Sequence, residues 1–222
     1  TQYVPLRESA TIYPAPLGNG CMERTAVITG CSSGIGRAAV EAFREEGWTV
    51  YATARDTDDL AEFRGRDGCR VAELDVTVAS DIDRVIERVI DETERIDCLV
   101  NNAGYGQLGP VEDVPTERVV RQYDVNVYGP LRLIRAVLPE MRRRGEGTVV
   151  NVTSVAARLR FAGGGVYAGA MAAPSATTES GRGGVETGGM DVVGAEPGQV
   201  ATAFAERATA GTADLDRTAA YD

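Results

Sequence analysis

A glycine-rich turn near the start of the chain has the residue types and spacing to hold an anion. It runs from Thr29 to Gly36 as TGCSSGIG, with the apolar Val27-Ile28 before it and a helix-forming stretch at 37–46 after it. A strand, a tight turn and a helix in that order present unpaired backbone N–H groups to a negative charge. The alternative at this point is a plain glycine-rich turn that binds nothing.

Strands and helices alternate over residues 25–195, and these elements must position the turn. Strands are predicted at 25–29, 49–54, 70–74, 98–100, 148–152 and 191–195. Helices are predicted at 35–46, 58–64, 79–92, 116–143 (interrupted at Gly129 and Pro130) and 166–187. Strands separated by helices predict an α/β fold with a doubly wound parallel sheet and helices on both faces, in three αβα layers.

Within that frame the glycine-rich turn lies in a βαβ unit, which favours a Rossmann-type fold with pyrophosphate at the helix N-terminus. The second predicted strand ends at Ala54 and is followed by Arg55. A guanidinium suits the ribose 2′-phosphate of NADP, whereas NAD-binding folds usually place an acid there. The alternative is a solvated Arg55 beside Asp56. We therefore expect NADP, with NAD as the other candidate.

Composition excludes several classes of function. The chain has 222 residues, a formal net charge of −10, no histidine and no lysine. The acidic balance argues against nucleic acid and against anionic membrane surfaces as partners. Without histidine, Ser-His-Asp and Cys-His catalysis are excluded, and no metal site is expected. Widely spaced cysteines without a C-x-x-C pair favour a reduced, cytoplasmic protein.

The two ends of the chain differ from its middle. Residues 1–21 contain proline and glycine without a period, and we expect a tail outside the domain, with Met22 a candidate natural first residue. The domain is expected to span residues 22–204. Residues 205–222 are rich in Ala, Thr and Asp and have little to bury, which predicts a partial segment over the substrate or a disordered tail.

Six motifs, in order, resemble those of classical short-chain dehydrogenases/reductases. They are TGCSSGIG at 29–36, LDVT at 74–77, NNAG at 101–104, DVNV at 124–127, NVTS at 151–154 and PGQVAT at 197–202. Cys31-Ser32-Ser33, Arg55 and Tyr105-Gly106 are most similar to the branch that acts on steroids, retinoids and related carbonyls. The resemblance implies hydride transfer between NADP(H) and a small-molecule alcohol or carbonyl.

The resemblance also implies roles for individual positions. Tyr167 would supply or remove the hydroxyl proton, Ser154 would hydrogen-bond the substrate oxygen, and Asn126 would bind the water that relays protons. The implied cofactor-binding residues are Gly30, Ser32, Ser33, Gly34, Ile35, Gly36, Arg55, Asp75, Val76, Asn102, Ala103, Gly104, Tyr167, Pro197, Gly198, Val200 and Thr202.

One position departs from the family pattern, because the lysine expected four residues after Tyr167 is Met171. Tyrosine has an ordinary pKa near 10 and needs a cation to act as a base near neutrality. A thioether carries no charge and donates no hydrogen bond. Arg158 or Arg160 would have to reach across. A cofactor-binding relative with impaired catalysis is therefore a second hypothesis, and a non-enzymatic scaffold a third.

The helix expected to carry Tyr167 is also unusual. Pro174 lies about two turns into it and several glycines follow, at a cost of about 3 kcal/mol for an interior proline and about 1 for each glycine. We therefore expect a broken helix. Because the family commonly packs this helix in a dimer, we expect the Pro/Gly-rich segment 172–189 to weaken homo-oligomerisation. The family's last strand has no counterpart, which predicts an exposed sixth strand at the sheet edge.

Overall fold

Six parallel strands form one sheet in a computed structural model that describes residues 24–159, 161–185, 188–198, 200, 204–213, 215–216 and 218. The strands are β1 (Thr25–Ile28), β2 (Thr49–Ala54), β3 (Cys69–Glu73), β4 (Cys98–Asn101), β5 (Gly147–Val152) and β6 (Met190–Ala195). Their order across the sheet is β3-β2-β1-β4-β5-β6. The order reverses between β1 and β4, where open α/β sheets bind their ligands. The predicted Rossmann-type α/β fold is confirmed.

In the described ranges, six α-helices and three shorter helical segments accompany the strands. The helices are α1 (Gly34–Glu45), α2 (Ala79–Thr93), α3 (Thr116–Tyr123), α4 (Gly129–Arg144), α5 (Gly165–Val185) and α6 (Phe204–Ala213). The short turns are 3₁₀ at Thr57–Phe63 and Val155–Ala157, and π-helical at Asp124–Tyr128. The helix predicted at 58–64 is thus a 3₁₀ helix. The stretch after residue 204, for which the sequence left two alternatives, begins with a helix.

The core lies on both faces of the sheet because successive strand residues point to opposite sides. Ile28 of β1 belongs to a buried cluster with Val40 and Phe43 of α1. Its neighbour Val27 belongs to a second cluster, formed with α2 and α4. All residues of β1, β2 and β4 are buried, as expected for central parallel strands covered on both faces.

The sequence predicted an interruption at Gly129 and Pro130 in the long helical region after residue 116, but this region is continuous. Helices α3 and α4 are joined by the π turn without a break, and Pro130 lies in the first turn of α4. A proline lacks a backbone N–H and disturbs regular α-helical hydrogen bonding, and Pro130 lies two residues after the π turn, where that bonding pattern already changes. A Cβ at Gly129 would lie 2.8 Å from Cγ2 of Val76. The glycine therefore serves close packing against the segment after β3.

Helix α5 also continues where the sequence predicted a break. It spans 21 residues and includes Pro174, which is buried. The hydroxyl of Thr178 donates to the carbonyl oxygen of Pro174 (2.7 Å) and accepts from Nδ2 of Asn151 on β5 (2.8 Å). This buried link to the sheet helps to hold the helix in place. Tertiary packing here outweighs the low helix propensity of the segment.

The sixth strand lies at the edge of the sheet. Within the described part of the chain it pairs with β5 alone. Its burial alternates, with Met190 and Val192 buried and Asp191 and Val193 exposed. A one-sided strand of this kind suits an edge position.

Candidate active site

The loop between β1 and α1 depends on glycine at positions of close approach. Gly30 has a φ of +71°, and a Cβ there would lie 2.7 Å from Cα of Ala103. A Cβ at Gly36 would lie 2.4 Å from Nδ2 of Asn102 and from the carbonyl oxygen of Gly30. The absence of side chains at these glycines lets β1, α1 and the segment after β4 meet at one point.

The start of α1 offers backbone donors to an anion. Ser33 is the N-cap, its side chain makes no capping bond, and the first turn contains no acidic residue. The first N–H groups of a helix lack intrahelical partners, and the helix dipole favours negative charge there. A pyrophosphate fits this position. Ser32, Gly34 and Ile35, predicted to bind it, lie in the same loop and first turn.

Cys31 fills the inside of this loop. It is fully buried, and its thiol donates to the carbonyl oxygen of Ile28 at 3.1 Å. Its backbone N–H donates to the carbonyl oxygen of Thr53 on β2 at 2.9 Å. Burial raises the pKa of the thiol to about 12, so the thiol is protonated at neutral pH. Cys31 therefore packs the turn and is not a reactive nucleophile.

Asn102 and Thr29 join the carboxyl ends of β4 and β1. The Asn102 amide donates to the carbonyl oxygens of Thr29 (2.9 Å) and Gly30 (3.0 Å). The Thr29 hydroxyl in turn accepts from the backbone N–H groups of Asn102 and Ala103, both at 3.0 Å. These bonds place Asn102, Ala103 and Gly104 beside the glycine-rich loop, and the Asn102 side chain braces that loop.

The residues predicted at the adenosine end lie on two neighbouring strand ends. Arg55 directly follows β2 and is exposed. Burial raises the pKa of Tyr105, and the charges of Arg121, Arg118 and Arg55 oppose that rise. After β3, the Asp75 carboxylate accepts from the backbone N–H (2.9 Å) and the hydroxyl (2.7 Å) of Thr77. Val76 is buried against Gly129. The structure thus brings Arg55, Asp75 and Val76 to the edge of the sheet that carries the glycine-rich loop.

Asn126 lies on the π turn between α3 and α4 and is buried. Its Oδ1 accepts from the backbone N–H of Tyr105 (3.2 Å), and its Nδ2 donates to the carbonyl oxygen of Tyr105 (2.8 Å). π turns often occur at functional sites. Here the turn aims the amide at the segment that follows β4.

Ser154 and Tyr167 face each other at the next strand end along the sheet. Ser154 follows β5 and caps the 3₁₀ turn, accepting from the backbone N–H of Ala156 at 3.2 Å. Tyr167 lies in the first turn of α5 and is 9% exposed. Burial raises the pKa of Tyr167, and a hydrogen bond with the Ser154 side chain lowers it by less. Among the described residues, no charged group contributes to that shift.

Met171 lies one helical turn after Tyr167, where the family pattern has a lysine. Both side chains are buried in an apolar cluster with Ala156, Ala157 and the partly buried Leu108. The guanidinium of Arg158 is paired with Glu196 at 2.7 Å and with Glu179 at 3.2 Å. Arg160 lies outside the described residues. The environment of Tyr167 is therefore apolar on the side of Met171.

The segment after β6 lies at the same edge of the sheet, next to the segment that follows β5. Pro197 accepts a hydrogen bond from the backbone N–H of Val155 at 3.2 Å through its carbonyl oxygen. That bond places Pro197 and Gly198 beside the turn that follows Ser154. Val200 is exposed, and Thr202 lies outside the described residues.

Helix α6 lies over the site, a contribution that was not predicted from the sequence. The Phe204 ring lies 5.7 Å from the Tyr167 ring, centre to centre. A Cβ at Gly106 would lie 3.1 Å from Cβ of Ala208. Arg207 donates from Nη2 to Oγ of Ser33 at 2.6 Å. The helical spacing of Phe204, Ala208 and Leu215 was the available signal, but it is short and contains only two large apolar residues.

A cavity of about 610 Å³ opens beside α6. Its lining residues are Leu108, Gly109, Pro110, Phe161, Ala162, Gly163, Thr209, Thr212 and Ala213. None of the described residues that line it is charged. Leu108 also packs in the cluster that contains Tyr167, which connects the cavity with the Ser154–Tyr167 pair.

Two known short-chain dehydrogenases resemble this chain in sequence. Short-chain dehydrogenase ptmH of Penicillium ochrochloron is 38% identical over 181 residues, which cover 81% of this chain and 66% of that protein. A short-chain dehydrogenase of Streptomyces avermitilis, whose crystal structure is known, is 39% identical in sequence to this chain. The two structures align with a TM-score of 0.76 over 79% of this chain and 64% of that one. The chain thus spans slightly under two thirds of the length of these relatives.

A third similar protein has a cofactor in its structure. Serine dehydrogenase, in its closed form complexed with NADP⁺, is 30% identical with a TM-score of 0.81, over 84% of this chain and 77% of that one. The family model described as short chain dehydrogenase matches residues 24–213. The match covers the sheet, the glycine-rich loop, the Ser154–Tyr167 pair and α6. This chain belongs to the short-chain dehydrogenase family.

Proposed function

We propose that the chain is an NADP(H)-dependent oxidoreductase that interconverts an alcohol and a carbonyl group on a small molecule. One observation carries the proposal. The open N-terminus of α1 follows β1, and the Ser154–Tyr167 pair follows β5, so both lie at the carboxyl edge of one parallel sheet. An anion site and a hydroxyl pair at that edge suit a dinucleotide and a reacting oxygen.

The residues present fit a dinucleotide. The first turn of α1 would hold the pyrophosphate, Arg55 the ribose 2′-phosphate, and Asp75 with Val76 the adenine end, beside the segment braced by Asn102. The nicotinamide, when bound, supplies or accepts the hydride. The NADP⁺ in the related serine dehydrogenase structure and the exposed guanidinium of Arg55 support NADP over NAD.

Tyr167 is the proton donor in the direction of reduction. Its raised pKa keeps the hydroxyl protonated at neutral pH, so it can donate to a carbonyl oxygen without prior activation. Ser154 hydrogen-bonds Tyr167 and is placed to contact the same oxygen. In the direction of oxidation the phenol must first lose its proton, and the buried site disfavours the phenolate. Donation to a carbonyl leaves the same phenolate, which must then take up a proton from solvent, so the missing cation slows proton transfer in both directions.

The cavity beside α6, which shares Leu108 with the Tyr167 cluster, supports a substrate class. Its described lining residues are uncharged and mostly apolar, which supports a neutral, apolar carbonyl compound. Such compounds include those handled by the steroid and retinoid branch that the sequence resembles.

A cofactor-binding protein with impaired catalysis is the second candidate, and Met171 favours it. The side chain is 6% exposed and apolar, so it offers no charge to stabilise a Tyr167 phenolate. The two candidates share the cofactor site and differ only in turnover.

The two candidates are separated by measuring binding and turnover on the same preparation. Calorimetric titration with NADP⁺ and NAD⁺ measures binding, and NADPH oxidation with neutral aldehydes and ketones measures turnover. We expect NADP⁺ to bind more tightly than NAD⁺ and ketones to be reduced. Binding without turnover would favour the impaired protein, and the absence of binding would overturn both candidates.

Two further expectations concern the cellular location and the oligomeric state of the protein. No helix in the described ranges is long and apolar enough to cross a membrane. We retain a cytoplasmic location as part of the proposal. Weakened homo-oligomerisation was expected because α5 was predicted to be broken, but α5 is continuous through Pro174. We therefore propose that α5 is intact enough to serve as an oligomer interface, which sedimentation analysis would test.

A further inference from the structure

Gln107 connects two walls of the cavity beside α6. Residues 108–110 line one wall, and Thr209, Thr212 and Ala213 of α6 line another. The Nε2 of Gln107 donates to the carbonyl oxygen of Leu108 at 2.9 Å and to that of Gly211, in α6, at 3.4 Å. Gln107 is 5% exposed, so water competes little for these bonds. One amide nitrogen therefore joins the segment after β4 to α6.

Gln122 fixes the backbone of Gln107. It is fully buried on α3, and its Oε1 accepts from the backbone N–H of Gln107. The opposite orientation of the Gln122 amide would bring two donors together, so its oxygen must face Gln107. Its Nε2 has no hydrogen-bond partner among the residues that the structure describes, which costs stability in a buried position. The buried amide is thus committed to holding Gln107.

The C-terminal end of α6 depends on side chains from outside the helix. Gly211 lies in the last turn of α6, where carbonyl oxygens have no partner within the helix. Its carbonyl oxygen accepts from Gln107 and from Nη1 of Arg118 on α3 at 2.9 Å. A cation is favoured at this end of a helix, and the last turn of α6 has no basic residue of its own. Gln107 and Arg118 together therefore cap α6.

The glycines on either side of Gln107 allow a close approach but supply no directional bond. A Cβ at Gly106 would lie 3.1 Å from Cβ of Ala208 in α6, and a Cβ at Gly109 would lie 2.4 Å from Cδ1 of Leu215. Apolar contacts of this kind bring α6 and the segment together without fixing their separation. The hydrogen bonds of Gln107 are directional and can fix it.

We propose that Gln107 is a positioning residue that fixes the distance between α6 and residues 108–110, and so sets how large a substrate the cavity accepts. The inference rests on the proposed function, because it assigns a specificity role within the proposed substrate cavity. Gln107 acts through Leu108 and α6, whose Phe204 contacts the Tyr167 ring. Without the Gln107 amide, the cavity should hold small ketones less well and discriminate less against large ones.

Hydrogen exchange of the unliganded protein tests the first half of the proposal. Gln107→Met keeps the length of the side chain but donates no hydrogen bond. The control is Thr93→Val, because the Thr93 hydroxyl also donates to two carbonyl oxygens, those of Val89 (2.7 Å) and Arg95 (2.9 Å), away from the cavity. We expect the amides of residues 204–213 to exchange about fivefold faster in Gln107→Met. Their rates in Thr93→Val should equal those of the parent.

Ligand size tests the second half. Displacement of the neutral dye Nile red by cyclohexanone and by the bulkier decalone gives dissociation constants without requiring turnover. Gln107→Met should weaken cyclohexanone binding about fivefold and decalone binding less, whereas a purely structural loss would affect both ketones alike. With NADPH present, the KM values for reduction should follow these constants. The kcat should stay near the parent value, because Ser154 and Tyr167 are unchanged.

A second variant covers a failure to fold. If Gln107→Met lowers the melting temperature far more than Thr93→Val does, Gln107→Asn takes its place. Its shorter amide can still reach the neighbouring Leu108 but not Gly211, so it should give the same change in exchange and in ketone preference.

The outcomes separate this inference from the proposed function. Parent-like exchange at residues 204–213 in the Gln107 variant would overturn its positioning role. Faster exchange with an unchanged ketone preference would overturn its control of cavity size. A parent that binds neither the dye nor a ketone would overturn the assignment of the cavity to substrate. A parent that binds no NADPH would overturn the proposed function and the specificity role that rests on it, and the exchange measurement distinguishes that failure because it needs no cofactor.

Discussion

Met171 packs against Tyr167 in the apolar cluster at the start of α5, four residues further along the same helical face. Burial raises the pKa of Tyr167, and the described residues provide no nearby cation to lower it. A cation at position 171 would favour the phenolate, and a thioether does not. This pair of residues therefore sets how readily the proposed site can move a proton.

Met171→Lys is expected to raise turnover. The ammonium would lie one turn from Tyr167 and lower its pKa, so we expect an increase in kcat for alcohol oxidation of about tenfold or more. Burying the charge should lower the melting temperature. Steady-state kinetics and a thermal melt measure the two effects. Met171→Leu is the control and should change neither by much. An unchanged kcat in Met171→Lys with intact NADP⁺ binding would contradict the prediction.

The two reaction directions should depend differently on pH. Because its pKa is raised, Tyr167 stays protonated at and beyond the ordinary tyrosine value of about 10. Reduction uses the protonated form, so its kcat/KM should stay level from about pH 6 to 9. Oxidation uses the phenolate, so its kcat/KM should rise about tenfold per pH unit over that range. A fall in the reduction profile centred within that range would show that a cation lowers the Tyr167 pKa.

Arg55→Asp is expected to shift cofactor preference from NADP to NAD. The substitution places a carboxylate where the guanidinium would meet the 2′-phosphate, and a carboxylate can accept from a ribose 2′-hydroxyl. We expect the NADP⁺/NAD⁺ affinity ratio to fall by about tenfold or more. Calorimetric titration of both dinucleotides measures the ratio. Arg143→Asp makes the same charge change away from the site, and a fall of equal size there would remove Arg55 from the account.

Gly36→Ala is expected to destabilise the fold and weaken cofactor binding together. The added methyl would lie 2.4 Å from the carbonyl oxygen of Gly30 and from Nδ2 of Asn102, which should cost about 1–3 kcal/mol in the free energy of unfolding. Urea denaturation measures that loss. At Gly181 in α5 a Cβ would lie 3.6 Å from Cγ2 of Val192. Gly181→Ala should therefore leave stability unchanged or raise it by up to about 1 kcal/mol. Equal effects would contradict the packing argument.

Most of the fold could be predicted because its signals are local. Gly30 follows a buried strand and Gly36 lies in the first turn of an amphipathic helix, and that order specifies a βαβ unit. The positions of the six strands followed from short apolar runs such as Val27-Ile28. The family resemblance, added to these local patterns, predicted that Ser154 and Tyr167 lie together at one strand end.

The features that were missed depend on contacts between distant residues. Pro174 predicted a break in α5, but packing against the sheet and the Thr178–Asn151 hydrogen bond keep the helix continuous. The π turn at Asn126 accompanies two hydrogen bonds to Tyr105 that no local pattern encodes. The contact between Arg207 and Ser33 joins opposite ends of the chain, so helix propensity alone could not indicate it.

Transfer of a labelled hydride tests the central claim most directly. NADPH deuterated at C4 of the nicotinamide, in both stereochemical forms, is incubated with the parent chain and a panel of neutral ketones. Mass spectrometry of the alcohols detects even slow chemistry. We predict one deuterium per alcohol from one of the two forms, with the label lost in Tyr167→Phe. If the parent chain binds NADPH but gives no deuterated alcohol with either form, the proposed oxidoreductase function is contradicted.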